Sequence, residues 1–154
     1  LMKHLELRDV QFAELTLHTG VGNFRDIEVE DLTKHKTDSE EMEITQETCD
    51  IINTAKAQRN KIFAVGTTSL KALETSVTIS GQINPYKGWT NKFIFPHYDF
   101  NTADALITNF HLPKSSMMME VAAFAGYELL MKAYKIAVAE KYRFFTYGDA
   151  MLIL

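Results

Sequence analysis

Residues 61–70 read KIFAVGTTSL, and this stretch decides the fold class. Its apolar first half predicts a buried β-strand over 61–66, and the spacing of the apolar residues that follow predicts a helix over 67–76. A strand that runs through a glycine into a helix directs unpaired backbone N–H groups outward, where they can bind a phosphate, a carboxylate or a ribose. The candidate substrate-binding residues at this junction are Gly66, Thr67, Thr68 and Ser69. A threonine that only caps the helix is the more common explanation of such a pattern, so both interpretations stay open.

The patterns on either side of this stretch alternate between strands and helices. Period-two alternation and short apolar runs predict strands over 12–18, 42–44, 92–95, 105–108 and 150–154. Helical spacing and capping residues predict helices over 46–59, from 115 or 116 to 124, and over 127–141. Turn residues predict a loop over 80–87, and the aromatic run 143–147 is predicted to be extended. We therefore expect a single α/β domain over 1–154, with a mixed, partly parallel sheet flanked by helices.

The composition is that of a soluble globular protein, with 46% hydrophobic and 23% charged residues among 154. Every apolar run is well short of the ~18 residues that span a bilayer, so we expect no membrane partner. A single cysteine, Cys49, excludes an internal disulfide and fits a reducing cytoplasm, which is the expected location. The net charge of −4 argues against a broad basic face for nucleic acid, although a local basic patch is compatible with it.

A histidine and a glycine-containing loop follow the first predicted strand. His18 ends that strand, and Gly20 and Gly22 open the loop behind it. Histidine exchanges protons near neutral pH, so His18 is a candidate catalytic acid or base. A hydrogen-bonded structural histidine explains the same pattern and is the more common case.

A second polar pair lies between the predicted strand 105–108 and Pro113. Asn109 and His111 would point the same way if the strand continued, because alternate residues of a strand share a face. His111 is then a candidate catalytic residue, and Asn109 is a candidate binding residue. A turn braced by side-chain hydrogen bonds is an equally good explanation.

An aromatic run near the end of the chain, YRFFTYGD at 142–149, carries the third group of candidates. Arginine among aromatic side chains can stack on unpaired bases and contact phosphate, so Arg143 and Tyr147 are candidate RNA-binding residues. Asp149 could act as an acid, a base or a turn residue. A core strand accounts for such a run more often. The five histidines are scattered and the cysteine stands alone, so no metal site is predicted.

Several longer motifs carry a family resemblance. TLHTGVGNF, KIFAVGTTSLKALE, GWTNKFIFP, DALITNFHLPKSS and KYRFFTYGDAMLIL occur in the order typical of the S-adenosylmethionine:tRNA ribosyltransferase-isomerase family. The chain resembles that family from about residue 12 to its end, and NFHLP and YRFFxYGDAM are the most specific motifs. The resemblance to the family's C-terminus, together with a first residue already in helix-like sequence, implies the C-terminal part of a larger two-domain enzyme. We expect its N-terminal part to lie upstream.

This resemblance implies a specific reaction. S-adenosylmethionine would donate its ribosyl group, not its methyl group, to 7-aminomethyl-7-deazaguanine at the wobble position of tRNA. Adenine and methionine would leave, epoxyqueuosine would form, and no metal is expected. His18 and His111 would then be the proton-transfer candidates, with Asp149 as a third catalytic candidate beside Tyr147. Among the binding candidates, Asn109 would bind adenine and Arg143 would contact the RNA. The methionyl carboxylate, the ribose hydroxyls or a tRNA phosphate would be held by Gly66, Thr67, Thr68 and Ser69.

Some residues depart from the family pattern that the chain resembles. They are Thr19, Asn23, Thr37, Asp38, Lys71, His97 and Glu120. Lys71 stands for a usual arginine, which keeps the charge but loses the bidentate fork. Glu120 stands in a helix that is usually apolar. These departures leave open an alternative, a divergent paralogue that acts as a non-catalytic RNA- or nucleoside-binding domain. We expect the 154-residue piece by itself to have little or no activity.

Overall fold

Two three-stranded sheets organise the chain in the computed structural model, which describes residues 1–154 apart from the side chain of residue 24. The strands are β1 (Thr16–Leu17), β2 (Glu40–Ile44), β3 (Phe63–Val65), β4 (Tyr86–Thr90), β5 (Ala105–Asn109) and β6 (Ala150–Ile153). The helices are α1 (Met2–Glu6), α2 (Gln46–Ala57), α3 (Thr67–Ser76), α4 (Ser116–Ala125) and α5 (Tyr127–Ala139). Short 3-10 turns cover Val21–Phe24, Leu32–Lys34 and Phe145–Tyr147.

The first sheet is antiparallel and has the strand order β1-β2-β4. Alternation along β2 buries Met42 and Ile44 in the core. Glu41, which precedes Met42, is exposed. The same period of two places Glu40 on the buried face, where it lies opposite Thr90 of β4. Strand β2 therefore carries a carboxylate into the interior.

The second sheet is mixed and has the strand order β3-β5-β6. β3 and β5 run parallel, and β6 pairs antiparallel with the other side of β5. Parallel strands cannot be joined by a tight hairpin, and here the crossover contains α3 and β4. The expected mixed, partly parallel sheet with flanking helices is thus confirmed, and an antiparallel sheet accompanies it.

Helix α3 contacts strands of both sheets, which explains why it is buried on more than one side. It begins after Gly66, whose φ is +94° and whose N–H donates to the carbonyl of Ile107 over 2.8 Å. Leu70 and Leu73 pack into the hydrophobic core, and each such side chain contributes about 1.5–3 kcal/mol when fully buried. Another side of the same helix presents Lys71 and Glu74 to the interior, where both are buried.

Helices α4 and α5 complete the core and hold the end of the chain. The Ser115 hydroxyl caps α4 by accepting from the Met118 N–H over 3.1 Å, a type of contact worth about 1 kcal/mol. Phe110, just after β5, stacks on Phe144 with ring centroids 4.9 Å apart and meets Tyr134 of α5 edge-on at 5.4 Å. No helix among the described residues is long and apolar enough to cross a membrane.

The structure corrects the prediction for residues 80–95. The pattern predicts a loop over 80–87 and a strand over 92–95, whereas the observed strand is Tyr86–Thr90. Five consecutive residues of this strand pair with β2, and this pairing outweighs the turn signal of Pro85 and the flexibility of Gly88. The predicted strand 12–18 is reduced to Thr16–Leu17, the only two of its residues in ladder pairing with β2.

The end of the chain also differs from its prediction. The aromatic run 143–147 is not extended, because Phe145–Tyr147 form a 3-10 turn. Gly148, with φ +107°, then turns the chain into β6. The predicted last strand is confirmed, but it alternates between half-buried and exposed residues because one face of its sheet is open. The predicted helices 46–59 and 127–141 are confirmed with ends two residues earlier.

Candidate active site

Three of the predicted polar segments meet at one edge of the mixed sheet. Because β3 and β5 are parallel, the Gly66–Ser69 segment and the segment from Asn109 to His111 leave the sheet at the same edge. β6 is antiparallel and starts there, with Ala150 opposite Asn109 and Asp149 just before it. Ligands commonly bind outside the carboxyl ends of parallel strands. Segments that are far apart in the chain therefore lie at the same edge of this sheet.

The glycine-containing loop after β1 reaches the same region from the other sheet. The backbone N–H of Gly20 donates to Glu40 Oε1 over 2.8 Å, and the Asn23 side-chain amide donates to the same oxygen over 2.5 Å. Ser116, the first residue of α4, in turn donates to Asn23 Oδ1 over 3.5 Å. Since Ser116 starts α4 just after the segment that leaves β5, the loop is anchored beside that edge.

Buried charges lie between this loop and helices α3 and α4. Glu40 is 2% exposed and forms an ion pair with Lys71, which is 8% exposed. Glu74 is also 2% exposed, and its carboxylate accepts from the N–H groups of Asn101 and Thr102, each over 2.9 Å. It accepts further from the hydroxyls of Thr102 at 2.6 Å and Tyr98 at 3.0 Å. Both carboxylates are thus well satisfied, as buried charges must be.

Glu120 of α4 is the third buried carboxyl and differs from the other two. It is 5% exposed, and its Oε1 is the one buried side-chain nitrogen or oxygen without a hydrogen-bond partner among the side chains that the structure describes. Burial raises the pKa of Glu120 to about 8, the Lys71 charge opposes that rise, and the Glu40 and Glu74 charges add to it. A buried carboxyl with a raised pKa and an unpaired oxygen beside a cavity is a candidate functional residue.

A cavity of about 10 Å³ lies beside Glu120. Its polar lining comes from helices α3 and α4, from the loop after β1 and from the segment after β4, and includes Asn23, Thr67, Thr68, Lys71, Lys92, Ser116 and Glu120. The predicted binding residues Thr67 and Thr68 thus line it. Sequence reasoning did not single out Glu120, Lys71 or Glu40 as site residues. The signal that could have revealed Glu120 is its place as the one charge in the apolar stretch 117–125.

The two predicted catalytic histidines lie in different environments. His18 is exposed, and its backbone N–H donates to the carbonyl of Glu41 over 2.8 Å. His111 is buried, with Nε2 2.8 Å from the Thr108 hydroxyl and its backbone N–H donating to the Tyr134 hydroxyl over 2.7 Å. Burial lowers the pKa of His111 to about 4, so the ring is neutral at pH 7. These contacts favour a bracing role for His111, whereas His18 is accessible to a substrate.

Asn109 and His111 do not converge. β5 ends at Asn109, so the strand alternation that would align the two side chains does not continue. Asn109 is exposed and its side-chain amide donates to the carbonyl of Asp149 over 3.1 Å, whereas His111 is buried. The Asn109 contact links the end of β5 to the residue before β6. The His111 ring contacts the Thr108 hydroxyl instead.

Asp149 is held by Arg143. The guanidinium donates to the carboxylate through Nη2 at 2.8 Å and Nε at 3.3 Å, and the Arg143 backbone N–H donates over 2.6 Å. These hydrogen bonds from Arg143 lower the pKa of Asp149, so Asp149 is ionised at neutral pH and suits a base or a turn brace better than an acid. Tyr147 is exposed, while Phe144 is half-buried and packs against the core, so the aromatic run divides between surface and interior.

Comparisons with known proteins identify the family of the chain. A family model described as queuosine biosynthesis protein matches residues 1–153. The chain is 59% identical to an S-adenosylmethionine:tRNA ribosyltransferase-isomerase of Flavobacterium psychrophilum and 58% identical to one of Parabacteroides distasonis, over 100% of this chain and 44% of each relative. A crystal structure of S-adenosylmethionine tRNA ribosyltransferase from Thermotoga maritima matches with a TM-score of 0.81 and 40% identity. That match covers 99% of this chain and 48% of the other, so the chain spans less than half the length of these relatives.

Proposed function

Because this chain belongs to the queuosine biosynthesis protein family, we propose that it forms the C-terminal part of an S-adenosylmethionine:tRNA ribosyltransferase-isomerase. The observation that carries this proposal is the match of the family model to residues 1–153, together with relatives of that name at 59% and 58% identity. Since the chain spans 44% of those relatives, the remainder of the full-length protein would contribute to the site.

The proposed reaction transfers and isomerises the ribosyl group of S-adenosylmethionine. A base removes an acidified proton next to the sulfonium centre, and the neutral amine of 7-aminomethyl-7-deazaguanine in tRNA attacks the ribosyl carbon. The bonds from the ribosyl group to the methionine sulfur and to adenine break, and the ribosyl carbons close into the epoxide-bearing ring of epoxyqueuosine at the wobble position. The proton taken by the base and the proton lost by the amine pass to the departing adenine and to solvent. The modified base must leave its stack to reach the site.

Several described residues suit roles in this reaction. His18 is exposed beside the loop that binds Glu40, and we assign it the proton transfer at the substrate. His111 and Asp149 are proposed to support catalysis by positioning, His111 through Thr108 and Asp149 through Arg143.

Binding roles follow from the same edge of the sheet. The first turn of α3 has unpaired backbone N–H groups and hydroxyls, which suit a carboxylate or ribose oxygen. The residues assigned to this binding are Gly66, Thr67, Thr68 and Ser69. The exposed Asn109 and Tyr147 suit base contacts, and Arg143 suits the tRNA backbone, where its charge can offset phosphate. With a net charge of −4, the chain would rely on such local contacts and on the rest of the protein for tRNA affinity.

Mass analysis of tRNA nucleosides from cells without the gene tests the proposal. We expect queuosine to disappear, its aminomethyl precursor base to accumulate, and the full-length gene to restore queuosine. Unchanged queuosine in cells without the gene, with no second gene of this family present, would overturn the proposal. It would leave the non-catalytic paralogue as the remaining interpretation.

Replacement of His18 tests its assigned role. In the full-length protein, His18→Ala should lower kcat by about 10²-fold or more, because a positioned acid or base contributes roughly that factor. His4→Ala is the matched control, since His4 is an exposed histidine on α1 outside the site. Near-normal turnover of a folded His18→Ala protein would remove His18 from the role.

A further inference from the structure

We propose that the cavity beside Glu120 binds a primary ammonium group of a substrate, with the Glu120 carboxylate as its counter-ion. Glu120 projects from α4 into the space next to Thr67, Lys71 and Ser116. The proposal rests on the proposed function only for the identity of the molecule that carries the ammonium group.

One oxygen of the Glu120 carboxyl, Oε1, is buried without a hydrogen-bond partner among the side chains that the structure describes. A buried polar atom without a partner costs about 1–3 kcal/mol and more if it is charged, so such atoms are rare in folded proteins. Glu120 Oε1 is such an atom. The nearby carboxylates of Glu40 and Glu74, in contrast, accept hydrogen bonds from protein groups. A ligand that donates to Oε1 would remove the cost on binding.

The charged side chains in and around the cavity favour a cation. Three carboxyls, Glu40, Glu74 and Glu120, lie in this part of the interior, with Lys71 and Lys92 as the lysines that line the cavity. Lys71 is paired with Glu40, and Lys92 lies 3.2 Å from the Tyr98 hydroxyl with its charge 5.4 Å from the centre of that ring. With Glu120 ionised, these three carboxylates and two lysines together would carry one excess negative charge. A single ligand cation would neutralise it.

The size and the hydrogen-bonding groups of the cavity suit a primary ammonium. A cavity of about 10 Å³ holds about one water-sized group, and the head of a primary ammonium is close to that size. An ammonium has three N–H donors and no acceptor. Glu120 can accept one of them, and the hydroxyl oxygens of Thr67, Thr68 and Ser116 line the same space as further acceptors.

Two groups in the proposed reaction share this chemistry. One is the α-ammonium of the methionyl part of S-adenosylmethionine. The other is the protonated aminomethyl group of 7-aminomethyl-7-deazaguanine, which would bind as an ammonium and lose a proton before it attacks. Binding of either would favour the ionised form of Glu120, which would release its proton to solvent. Proton release on binding therefore reports on Glu120 itself and not only on affinity.

Titration calorimetry of the full-length protein at pH 7 tests the site. The probes are S-adenosylmethionine, S-adenosylhomocysteine and free 7-aminomethyl-7-deazaguanine, each measured in two buffers of different ionisation enthalpy to count protons. The variants are Glu120→Gln, which keeps the shape, and Glu120→Leu, which fits an apolar helix. Glu128→Gln is the control, since Glu128 is an exposed carboxylate on α5. Melting temperatures of all variants confirm that they are folded.

The proposal predicts that Glu120→Gln and Glu120→Leu weaken at least one ammonium probe by about tenfold or more, equivalent to about 1.4 kcal/mol, and abolish proton release. Weaker binding of both S-adenosyl compounds assigns the site to the amino-acid ammonium, and weaker binding of the free base alone assigns it to the aminomethyl group. An effect on S-adenosylmethionine but not on S-adenosylhomocysteine would point to the sulfonium and overturn the ammonium assignment. Unchanged affinity and proton release for all probes would overturn it as well.

These outcomes are separate from those for the proposed function. If the full-length protein makes epoxyqueuosine but Glu120 variants bind every probe normally, only the ammonium site fails. If Glu120-dependent binding of an ammonium probe is found but no epoxyqueuosine forms, the reaction fails and the site stands.

Discussion

At the scale of single residues, Glu120 shows how burial can make a carboxyl responsive to pH. Its pKa is raised from 4.5 to about 8, so the folded state binds a proton more tightly than the unfolded chain does. The stability that this proton provides is fully present below pH 4.5 and is lost as the pH rises toward 8 and above. The neighbouring charges, Lys71, Glu40 and Glu74, modify the pKa of Glu120 but do not reverse this direction.

We therefore predict that Glu120→Gln reduces the loss of stability between pH 4.5 and about 8. The amide keeps the shape of the side chain but cannot ionise. Thermal unfolding of the wild type and the variant across this window measures the effect, with Glu128→Gln as the control for an exposed carboxylate. Parallel stability profiles of wild type and Glu120→Gln would show that ionisation of Glu120 does not cause the loss of stability.

Individual residue roles were only partly predictable from the sequence. The Thr67 and Thr68 segment was identified because a strand–glycine–helix junction is a local pattern. The pairing of Glu40 with Lys71 joins residues 31 positions apart, and it depends on the register of β2 and the rotation of α3. Such a contact has no local signature. For His111 both interpretations were open, and only its burial and its contact with Thr108 favour bracing.

At the scale of elements, the junction between β3 and α3 depends on Gly66. Its φ of +94° and ψ of 142° lie in a region that L-residues rarely adopt, and a residue held there costs of order 1–3 kcal/mol. An added Cβ would meet only ordinary contacts, the nearest at 3.6 Å, so the cost of Gly66→Ala is backbone strain and not a clash.

Gly66→Ala should therefore lower the free energy of unfolding by about 1–3 kcal/mol, with a fall in Tm of several degrees. Gly20→Ala is the matched control, because Gly20 has φ −88° and open space around its Cβ position. Calorimetric melting of both variants checks the prediction. Equal Tm values for the two variants would show that the Gly66 conformation is not required.

Elements were predictable where local pattern and tertiary pairing agree. The α2, α3, α4 and α5 helices follow from capping residues and apolar spacing, and β3 and β5 follow from short apolar runs. β4 was missed because Tyr86–Thr90 follows a proline and contains a glycine, and its strand conformation comes from pairing with β2. A contact between distant strands overrides weak local preference in this case.

At the scale of the whole molecule, one face of the mixed sheet remains uncovered. Val65, Ile107 and Leu152 form a row across its three strands, and Val65 and Leu152 are 63% and 57% exposed. Phe63 extends the same apolar surface along β3. Such a surface favours association with another apolar surface. The relatives are more than twice as long as this chain, so we expect the remainder of the full-length protein to cover it.

We predict that the isolated 154-residue chain self-associates as its concentration rises. The double change Val65→Thr and Leu152→Thr should reduce this association while keeping strand-compatible side chains. Val138→Thr on α5 is the control for loss of an exposed apolar group elsewhere. Light scattering after size-exclusion chromatography provides the measurement, and a monomeric wild-type chain at all concentrations would contradict the prediction.

We expect the full-length protein to transfer the ribosyl group of S-adenosylmethionine to a modified tRNA base. The most direct test incubates purified full-length protein with S-adenosylmethionine and tRNA that carries 7-aminomethyl-7-deazaguanine, and follows the products by mass spectrometry. We predict equal amounts of epoxyqueuosine in tRNA, free adenine and free methionine. A folded protein that binds both substrates but releases neither adenine nor methionine, and leaves the tRNA unmodified, would show that it does not catalyse this transfer.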